Sequence, residues 1–258
     1  MLVDSHCHLD LLDLEQCGGS LDAVLENASA AGIEHLLCIS VNRGNVATVR
    51  AIAERYPQVS ASAGIHPNEE SGPDDVSVDD LLAWADHPEV VAIGETGLDY
   101  FRSEGDLEWQ RDRFRRHIRA ARETGKPLII HCRQAAADTL RLLKEENAYE
   151  VGGVMHCFAE DLDTAKQSMD LGFMISFSGI VTFKNARELQ AVAQEVPLDA
   201  MLVETDSPWL APTPHRGKTN QPAYTRHVAE TVASLRGIGL DELAAATTDN
   251  FFRLFPKP

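Results

Sequence analysis

Short apolar runs of strand length alternate along the chain with amphipathic stretches that have helical periodicity. The pattern predicts eight strands, at residues 2–5, 35–40, 59–64, 90–94, 127–131, 152–156, 173–176 and 201–205. It predicts helices near residues 20–31, 45–55, 77–85, 106–124, 133–146, 161–170, 185–194, 222–235 and 240–248. Ser20, Ser77 and Asp161 stand where the side chain of a cap would begin a helix.

Regular alternation of strand and helix over a chain of this length predicts an α/β fold, a parallel TIM (β/α)8 barrel. A doubly wound open sheet is the rival architecture. It is disfavoured because the first strand ends in His-Cys-His rather than in a glycine-rich phosphate turn. No linker or repeat interrupts the pattern, so we expect one domain over residues 1–258, with a long proline-rich loop at 206–222.

Side chains that can bind metals stand at the carboxyl ends of six predicted strands. They are His6 and His8 (first strand), His66 (third), Glu95 (fourth), His131 (fifth), His156 (sixth) and Asp206 (eighth). In a parallel barrel these strand ends form one face, and active sites lie on that face. We therefore expect these side chains to converge on a single rim.

Each of these residues has an ordinary explanation when taken alone. A histidine at a strand end is commonly a core or capping residue, Asp206 precedes a Ser-Pro turn, and Glu95 lies between two glycines. Together, these explanations would leave one rim lined with unpaired polar groups, which is unfavourable. A shared cation would satisfy them all, so the pattern predicts a metal site. We assign no role to the remaining histidines His35, His87, His117 and His227 and leave His215 open.

The donor set predicts two divalent ions rather than one, because a single catalytic zinc uses three protein ligands. Imidazole and carboxylate suit zinc, manganese or iron better than an all-oxygen magnesium site, and the choice among Mg²⁺, Mn²⁺ and Zn²⁺ stays open. Glu95 is the expected bridge between the ions. We assign His6, His8 and Asp206 to one ion and His131 and His156 to the other, with Asp206 as a general base.

Composition narrows the function classes. The five cysteines include no CxxC pair, so a disulfide framework is not expected, and the thiols beside histidines should face away from the rim.

A net charge of −17 argues against a protein that coats nucleic acid, although bound cations can reverse the local sign. With neither a membrane-span-length apolar run nor a signal-peptide pattern, we expect a cytoplasmic protein, a monomer without an implied protein partner.

Seven motifs occur in order along the chain: DSHCHLD (4–10), GIHP (64–67), GETGLDY (94–100), HCR (131–133), HCF (156–158), ETDSPWLAP (204–212) and HRGKTNQP (215–222). Together they resemble the TatD family of metal-dependent deoxyribonucleases, within the amidohydrolase superfamily. The resemblance implies a TIM barrel that hydrolyses DNA, typically from the 3′ end. It also implies that His6, His8, Glu95, His131, His156 and Asp206 are the ligands of two metals.

Other residues are expected to contact the substrate. The resemblance places His66 beside the substrate rather than among the core ligands, and Arg133, Arg216 and Lys218 are candidates to hold a phosphate. Arg133 as a helix cap and Lys218 as a solvated loop charge are equally acceptable. Trp209 or Tyr224 could stack on a base, with burial of Trp209 behind the proline-rich loop as the alternative.

Three functions fit the sequence. The first is a two-metal 3′→5′ exonuclease on single-stranded DNA. The second is an amide or ester hydrolase on the same site, for example a D-aminoacyl-tRNA deacylase or a cyclic amidase, because a fold does not determine the substrate. The third is a barrel that keeps metals only for stability or partner binding, and the presence of all six ligands disfavours it.

Overall fold

A computed structural model describes residues 1–70, 72 and 75–256 of the chain. The strands are β1 (Leu2–Cys7), β2 (Ile33–Cys38), β3 (Val59–Ala63), β4 (Val90–Asp99), β5 (Leu128–Arg133), β6 (Gly153–Met155), β7 (Phe173–Phe177) and β8 (Met201–Val203). All neighbouring strands pair in parallel in the order β1 to β8, which makes a nearly closed barrel. The predicted fold is therefore confirmed, although positions 71, 73, 74, 257 and 258 of the predicted domain lie outside the described residues.

Within the described ranges, nine α-helices accompany the strands. They are α1 (Leu21–Ala30), α2 (Val46–Arg55), α3 (Val78–Ala85), α4 (Glu108–Thr124), α5 (Ala136–Glu145), α6 (Leu162–Asp170), α7 (Arg187–Glu195), α8 (Thr225–Arg236) and α9 (Leu240–Leu254). The three predicted caps are confirmed, since the side chains of Ser20, Ser77 and Asp161 each accept a hydrogen bond from a first-turn backbone N–H.

Several strand boundaries differ from the prediction. β4 runs on to Asp99, five residues beyond the predicted end, whereas β8 stops at Val203. In β4 the register against β5 shifts between Ile93 and Thr96, so the strand continues past Gly94 instead of turning there. Glu95 consequently lies inside a strand, and Asp206 lies in the loop that follows one.

The barrel is closed near the site by bonds between β1 and the segment after β8. The Asp206 amide donates to the His6 carbonyl at 2.9 Å, and the His8 amide donates to the Ser207 carbonyl at 2.8 Å. Cys7 and Ser207 form a parallel bridge at the same place. The first and last candidate ligands in the chain are thereby joined by backbone.

A hydrophobic cluster inside the barrel occupies its amino end. It contains one face of most strands together with Phe251 of α9 and Phe255, which follows α9, and both phenyl side chains are almost fully buried. Successive strand residues point to opposite faces, so the other face packs against the surrounding helices in the larger cluster. The carboxyl end is thus left for polar side chains.

In the described part of the chain, no helix combines the length and apolar character needed to cross a membrane.

His117, to which the sequence assigns no role, is a buried structural residue of α4. Its Nδ1 donates to the Arg113 carbonyl at 2.9 Å, and its Nε2 accepts from the Ile65 amide at 3.0 Å, which requires the neutral ring. Burial lowers the pKa of His117 from 6.5 to about 4.

The neutral ring of His117 should make stability pH-dependent. Its stabilising contribution is present above pH 6.5 and is lost as the pH falls towards about 4, with a limit of about 3 kcal/mol. We expect His117→Gln to flatten that part of the curve of unfolding free energy against pH, measured by urea titration. An unchanged acid slope in the variant would contradict this assignment.

Gly97 brings β4 and β5 together beside the site. Its φ is +130°, and a Cβ there would lie 2.0 Å from the His131 carbonyl oxygen. We expect Gly97→Ala to force the strands apart, destabilising the protein by more than the roughly 1–2 kcal/mol of left-handed strain alone. Gly105, with φ +83° and no atom within 4 Å, is the matched control. Equal losses of unfolding free energy in Gly97→Ala and Gly105→Ala would refute the packing argument.

Candidate metal centre

A buried carboxylate, that of Glu95, lies at the centre of the predicted rim. The residue is 3% exposed, and its amide donates to the Ser40 carbonyl at 3.0 Å. The extra length of β4 around Glu95 carries the side chain towards histidines from both sides of the barrel mouth. Each carboxylate oxygen has its own neighbours.

The Oε2 atom of Glu95 faces the residues at the end of β1. It lies 3.5 Å from His6 Nε2 and 4.0 Å from His8 Nε2. Asp206 Oδ1 lies 3.6 Å from His6 Nε2 and 3.4 Å from His8 Nε2. Two imidazoles and two carboxylates, drawn from β1, β4 and the loop after β8, therefore point their donor atoms into one space.

The Oε1 atom of Glu95 faces a second group of imidazoles. It lies 2.9 Å from His156 Nε2, 3.2 Å from His131 Nδ1 and 3.4 Å from His66 Nε2. These histidines follow or belong to β6, β5 and β3. All seven residues that the sequence predicted for the rim thus meet there.

The donor atoms can be grouped in a way that overlaps the predicted division. Three sets have ligand atoms within 4.8 Å of one another: His6–His156–Asp206, His6–His8–Glu95 and His66–Glu95–His131. His156, predicted beside His131, also lies close to His6, and their rings stack with centroids 3.7 Å apart. His66, predicted as a substrate contact, lies close enough to Glu95 and His131 to share an ion with them.

Two carboxylates that sequence reasoning missed hold the outer nitrogens of these histidines. Glu204 Oε1 lies 3.2 Å from His156 Nδ1 and accepts from the Cys157 amide at 2.8 Å. Asp99 Oδ2 lies 3.1 Å from His131 Nε2. Such partners fix the ring orientation of metal-binding histidines. Both residues lie in motifs of the sequence (GETGLDY and ETDSPWLAP), which could have marked them as candidates. The histidine that each one contacts is visible only in three dimensions.

A third buried carboxyl, Asp4, fixes the backbone that leads to Asp206. It accepts from the Thr205 amide at 2.9 Å and from the Thr205 hydroxyl at 2.6 Å. Burial raises the pKa of Asp4 to about 7 against these hydrogen bonds. Asp4 therefore serves the site by positioning its neighbour.

Burial and the neighbouring imidazoles shift the pKa values of the two central carboxyls, those of Glu95 and Asp206, in opposite directions. Burial would raise the pKa of Glu95, but the imidazoles of His156, His66 and His131 hold that pKa well below its ordinary value. Burial likewise opposes ionisation of Asp206, but His8 and His6 lower its pKa overall. Both carboxyls therefore favour the charged form and require nearby positive charge.

The residues present fit a bound divalent cation. The Nε2 atom of His156 is buried 2.9 Å from Glu95 Oε1 and has no geometrically sound hydrogen-bond partner among the described residues. Imidazole nitrogens and carboxylate oxygens converge without a thiolate, a donor set that suits zinc or manganese. A cation in this space would satisfy both the unpaired nitrogen and the negative charge.

The predicted substrate contacts are placed differently from one another. The Arg133 guanidinium lies 4.0 Å from the centre of the Phe101 ring, and Trp209 is 49% exposed beside His8, so its burial was a wrong expectation. Lys218 is exposed in the loop after β8, and Arg216 stacks on Phe183. None of the contacts between described residues joins Lys218 or Arg216 to the histidine cluster.

His215 and Tyr224 form a separate ring stack beside α8. Their centroids are 3.9 Å apart with ring planes 2° from parallel, and His215 Nε2 lies 3.2 Å from His227 Nε2. The two residues thereby link the proline-rich loop to the start of α8. This contact gives both a structural explanation.

Three cysteines next to the site histidines turn towards other partners. Cys7 is fully buried and directs its Sγ to the Leu37 carbonyl, while Cys132 and Cys157 are partly buried beside Thr139 and Ser178. Burial raises the pKa of all three thiols, that of Cys132 to about 12. Neutral thiols are poor metal ligands, which agrees with the expectation that they face away.

Comparison with known proteins places the chain in a family. A profile described as "TatD related DNase" matches residues 3–256. The chain is 50% identical over 254 residues to the uncharacterized metal-dependent hydrolase YcfH of Escherichia coli K12, which covers 98% of this chain and 95% of YcfH. It is 34% identical over 239 residues to the 3'-5' ssDNA/RNA exonuclease TatD of Salmonella typhimurium, covering 91% and 92% of the two chains.

A solved structure supports the same placement. The crystal structure of YJJV, a TatD homologue from Escherichia coli K12, superposes with a TM-score of 0.91 at 30% sequence identity. The match covers 100% of this chain and 98% of YJJV. The similarity therefore extends over the whole barrel and includes the loops that carry the candidate site.

The contact between Glu204 and His156 should strengthen metal binding. We expect Glu204→Gln to weaken affinity for Zn²⁺ or Mn²⁺ by about 10- to 100-fold, because the amide holds the imidazole less firmly and donates less electron density through it. Metal content after dialysis against graded chelator, measured by mass spectrometry, gives the affinity.

The exposed Glu230, 3.4 Å from His227 Nδ1, offers the same substitution at a histidine contact outside the site. Glu230→Gln should retain the metal affinity of the unmodified protein. If Glu204→Gln and Glu230→Gln bind metal equally well, the supporting role of Glu204 is wrong.

Proposed function

The chain belongs to the family of TatD-related DNases and is a metal-dependent hydrolase, and from that premise we propose that it is a two-metal deoxyribonuclease. Its proposed substrate is the 3′ end of single-stranded DNA. The Salmonella relative's description as a 3'-5' ssDNA/RNA exonuclease supports this substrate class and polarity.

The proposal rests on the way in which the two oxygens of the Glu95 carboxylate face two different sets of histidines. One oxygen lies against His6 and His8, and the other lies against His131 and His156. A carboxylate whose two oxygens face two sets of imidazoles has the arrangement expected of a bridge between two ions. We therefore assign His6, His8 and Asp206 to one ion, His131 and His156 to the other, and Glu95 to both.

Two divalent ions at such a site supply charge that activates water and stabilises the phosphoryl oxygens in an in-line displacement. The chain's own residues hold and orient the reaction. Asp206 has the more exposed of the two central carboxylates, at 14% of its side chain against 4% for Glu95. Its lowered pKa keeps it charged at neutral pH, so Asp206 can accept a proton from an attacking water.

We assign the remaining contacts by position. His66 lies beside Glu95 and His131, where its imidazole can donate to a substrate oxygen. The Arg133 guanidinium lies against the Phe101 ring, and from there its N–H groups could bind a phosphate. Lys218 is exposed in the loop after β8, where its ammonium group is available to a phosphate of the bound strand.

One observation favours a second candidate function. The net charge of −17 opposes accumulation of a polyanion at the surface, so a small ester or amide would approach more easily. A cyclic amidase, whose substrate is small, would use the same ligands. A D-aminoacyl-tRNA deacylase would use them too, but its tRNA substrate is itself a polyanion and is not favoured by this charge.

Labelled substrates test the proposal. The purified protein with Mg²⁺, Mn²⁺ or Zn²⁺ should release mononucleotides from 5′-labelled single strands by progressive shortening at the 3′ end. Asp206→Asn should lower kcat by at least about 100-fold, because both a ligand charge and the proton acceptor are lost. Glu230→Gln is the control and should retain full activity.

The same preparation should be offered a D-aminoacyl-tRNA and a panel of cyclic amides. Turnover of one of these without release of mononucleotides under any metal would refute the nuclease proposal and favour the second candidate. Full nuclease activity in His156→Ala would instead refute the two-metal site.

A further inference from the structure

Two large aromatic side chains are exposed at the barrel mouth. Phe101 is 55% exposed and Trp209 is 49% exposed. Phe101 follows the carboxyl end of β4, and Trp209 lies in the loop after β8, so both belong to the end of the barrel that carries the candidate metal centre. Exposed aromatic rings beside a candidate active site offer flat surfaces on which a nucleobase can stack.

Trp209 is attached to the metal-binding group at the end of β1. Its ring meets that of His8 edge to face with centroids 4.9 Å apart, and its amide donates to the Asp206 carbonyl at 3.0 Å. Asn220 binds the Trp209 carbonyl from the other end of the loop. The indole is therefore held beside two candidate ligands while half of it stays open to solvent.

Phe101 is attached to the opposite group of ligands. Its amide donates at 3.0 Å to Asp99 Oδ1, and the other oxygen of Asp99 lies 3.1 Å from His131 Nε2. The Arg133 guanidinium covers one face of the phenyl ring, with its carbon atom 4.0 Å from the ring centre. The exposed remainder of the ring is available to a second flat group.

The order of strands places the two rings on opposite sides of the mouth. In a barrel of eight strands ordered β1 to β8, β4 and β8 lie half a turn apart. Glu95 and its histidines occupy the space between them. A chain that crosses the mouth would meet an aromatic ring on each side of the metal centre.

Charge explains why rings rather than lysines would bind the strand. At a net charge of −17, the protein does not have the surface cation excess that would bind a long backbone. Base stacking needs no such excess, since every base has an aromatic face.

We propose that Trp209 and the Phe101–Arg133 pair are two stacking platforms that bind the bases on either side of the scissile phosphate, one base on each platform. This inference rests on the proposed nuclease function and specifies how the strand end is held. Arg133 then also places an N–H edge near the phosphate between the bases. The minimal substrate is a dinucleotide unit with both bases present.

The test compares Trp209→Ala and Phe101→Ala with Tyr149→Ala. Tyr149 is 55% exposed like Phe101 but precedes β6, at the amino end of the barrel. Each protein is assayed with an oligonucleotide and with the same strand carrying abasic residues at its last two 3′ positions. Unchanged metal content shows that a variant has kept its metal centre.

We expect each platform variant to raise KM for the ordinary strand by about 5- to 100-fold, and Tyr149→Ala to leave KM unchanged. On the abasic strand, KM of the unmodified protein should rise, and the platform variants should add little to that rise. The slope of log KM against log salt should stay near the value for one or two phosphates, about 0.7 each.

Two results would overturn the platforms. Equal KM values for Trp209→Ala, Phe101→Ala and Tyr149→Ala on the ordinary strand would show that the rings do not bind bases. Losses of the same size on the ordinary and abasic strands would show a general defect of the site. If the unmodified protein has no nuclease activity, the proposed function is refuted and the platforms with it. The two failures are therefore distinguishable.

Discussion

A charged carboxylate buried at the mouth of the barrel is the constraint on which the site depends. Glu95 is almost fully covered, and burial of an unpaired anion would cost several kcal/mol. The surrounding imidazoles of His6, His131 and His156 reduce that cost, and a divalent cation would reduce it further. Glu204 and Asp99 then orient the outer nitrogens, so the polar network extends from the central carboxylate into the strands.

Closure of the barrel gives this network its geometry. The residues at the two ends of the ligand set are separated by 200 positions in sequence, yet Asp206 and His6 share a backbone hydrogen bond of 2.9 Å. Asp4 strengthens the same junction by accepting two hydrogen bonds from Thr205. The amino end is filled by aromatic and aliphatic side chains, including Phe251 and Phe255, so the strands are held apart at a fixed radius beneath the site.

The strongly negative surface and a nucleic-acid substrate are compatible if binding is local. In the proposed mechanism, metal charge would act on the phosphate at the reaction centre, and the exposed rings would act on the neighbouring bases. Neither requires a positively charged track. Under the same proposal, Arg133, which stacks on Phe101, would provide a cation beside the phosphate.

Strand–helix alternation and the chemistry of the strand ends were readable from the sequence alone. Apolar periodicity predicted the parallel barrel, and the parallel strand direction was enough to bring His6, His66, Glu95 and His156 to one rim. Only the tertiary structure decided how Glu95 divides its oxygens, because that depends on the irregular register of β4, which no period reveals. Pairing of His156 with Glu204, and exposure of Trp209, likewise arise from strands and loops that are distant in sequence. Such contacts depend on packing in three dimensions, whereas a sequence pattern records only the preferences of each residue and its near neighbours.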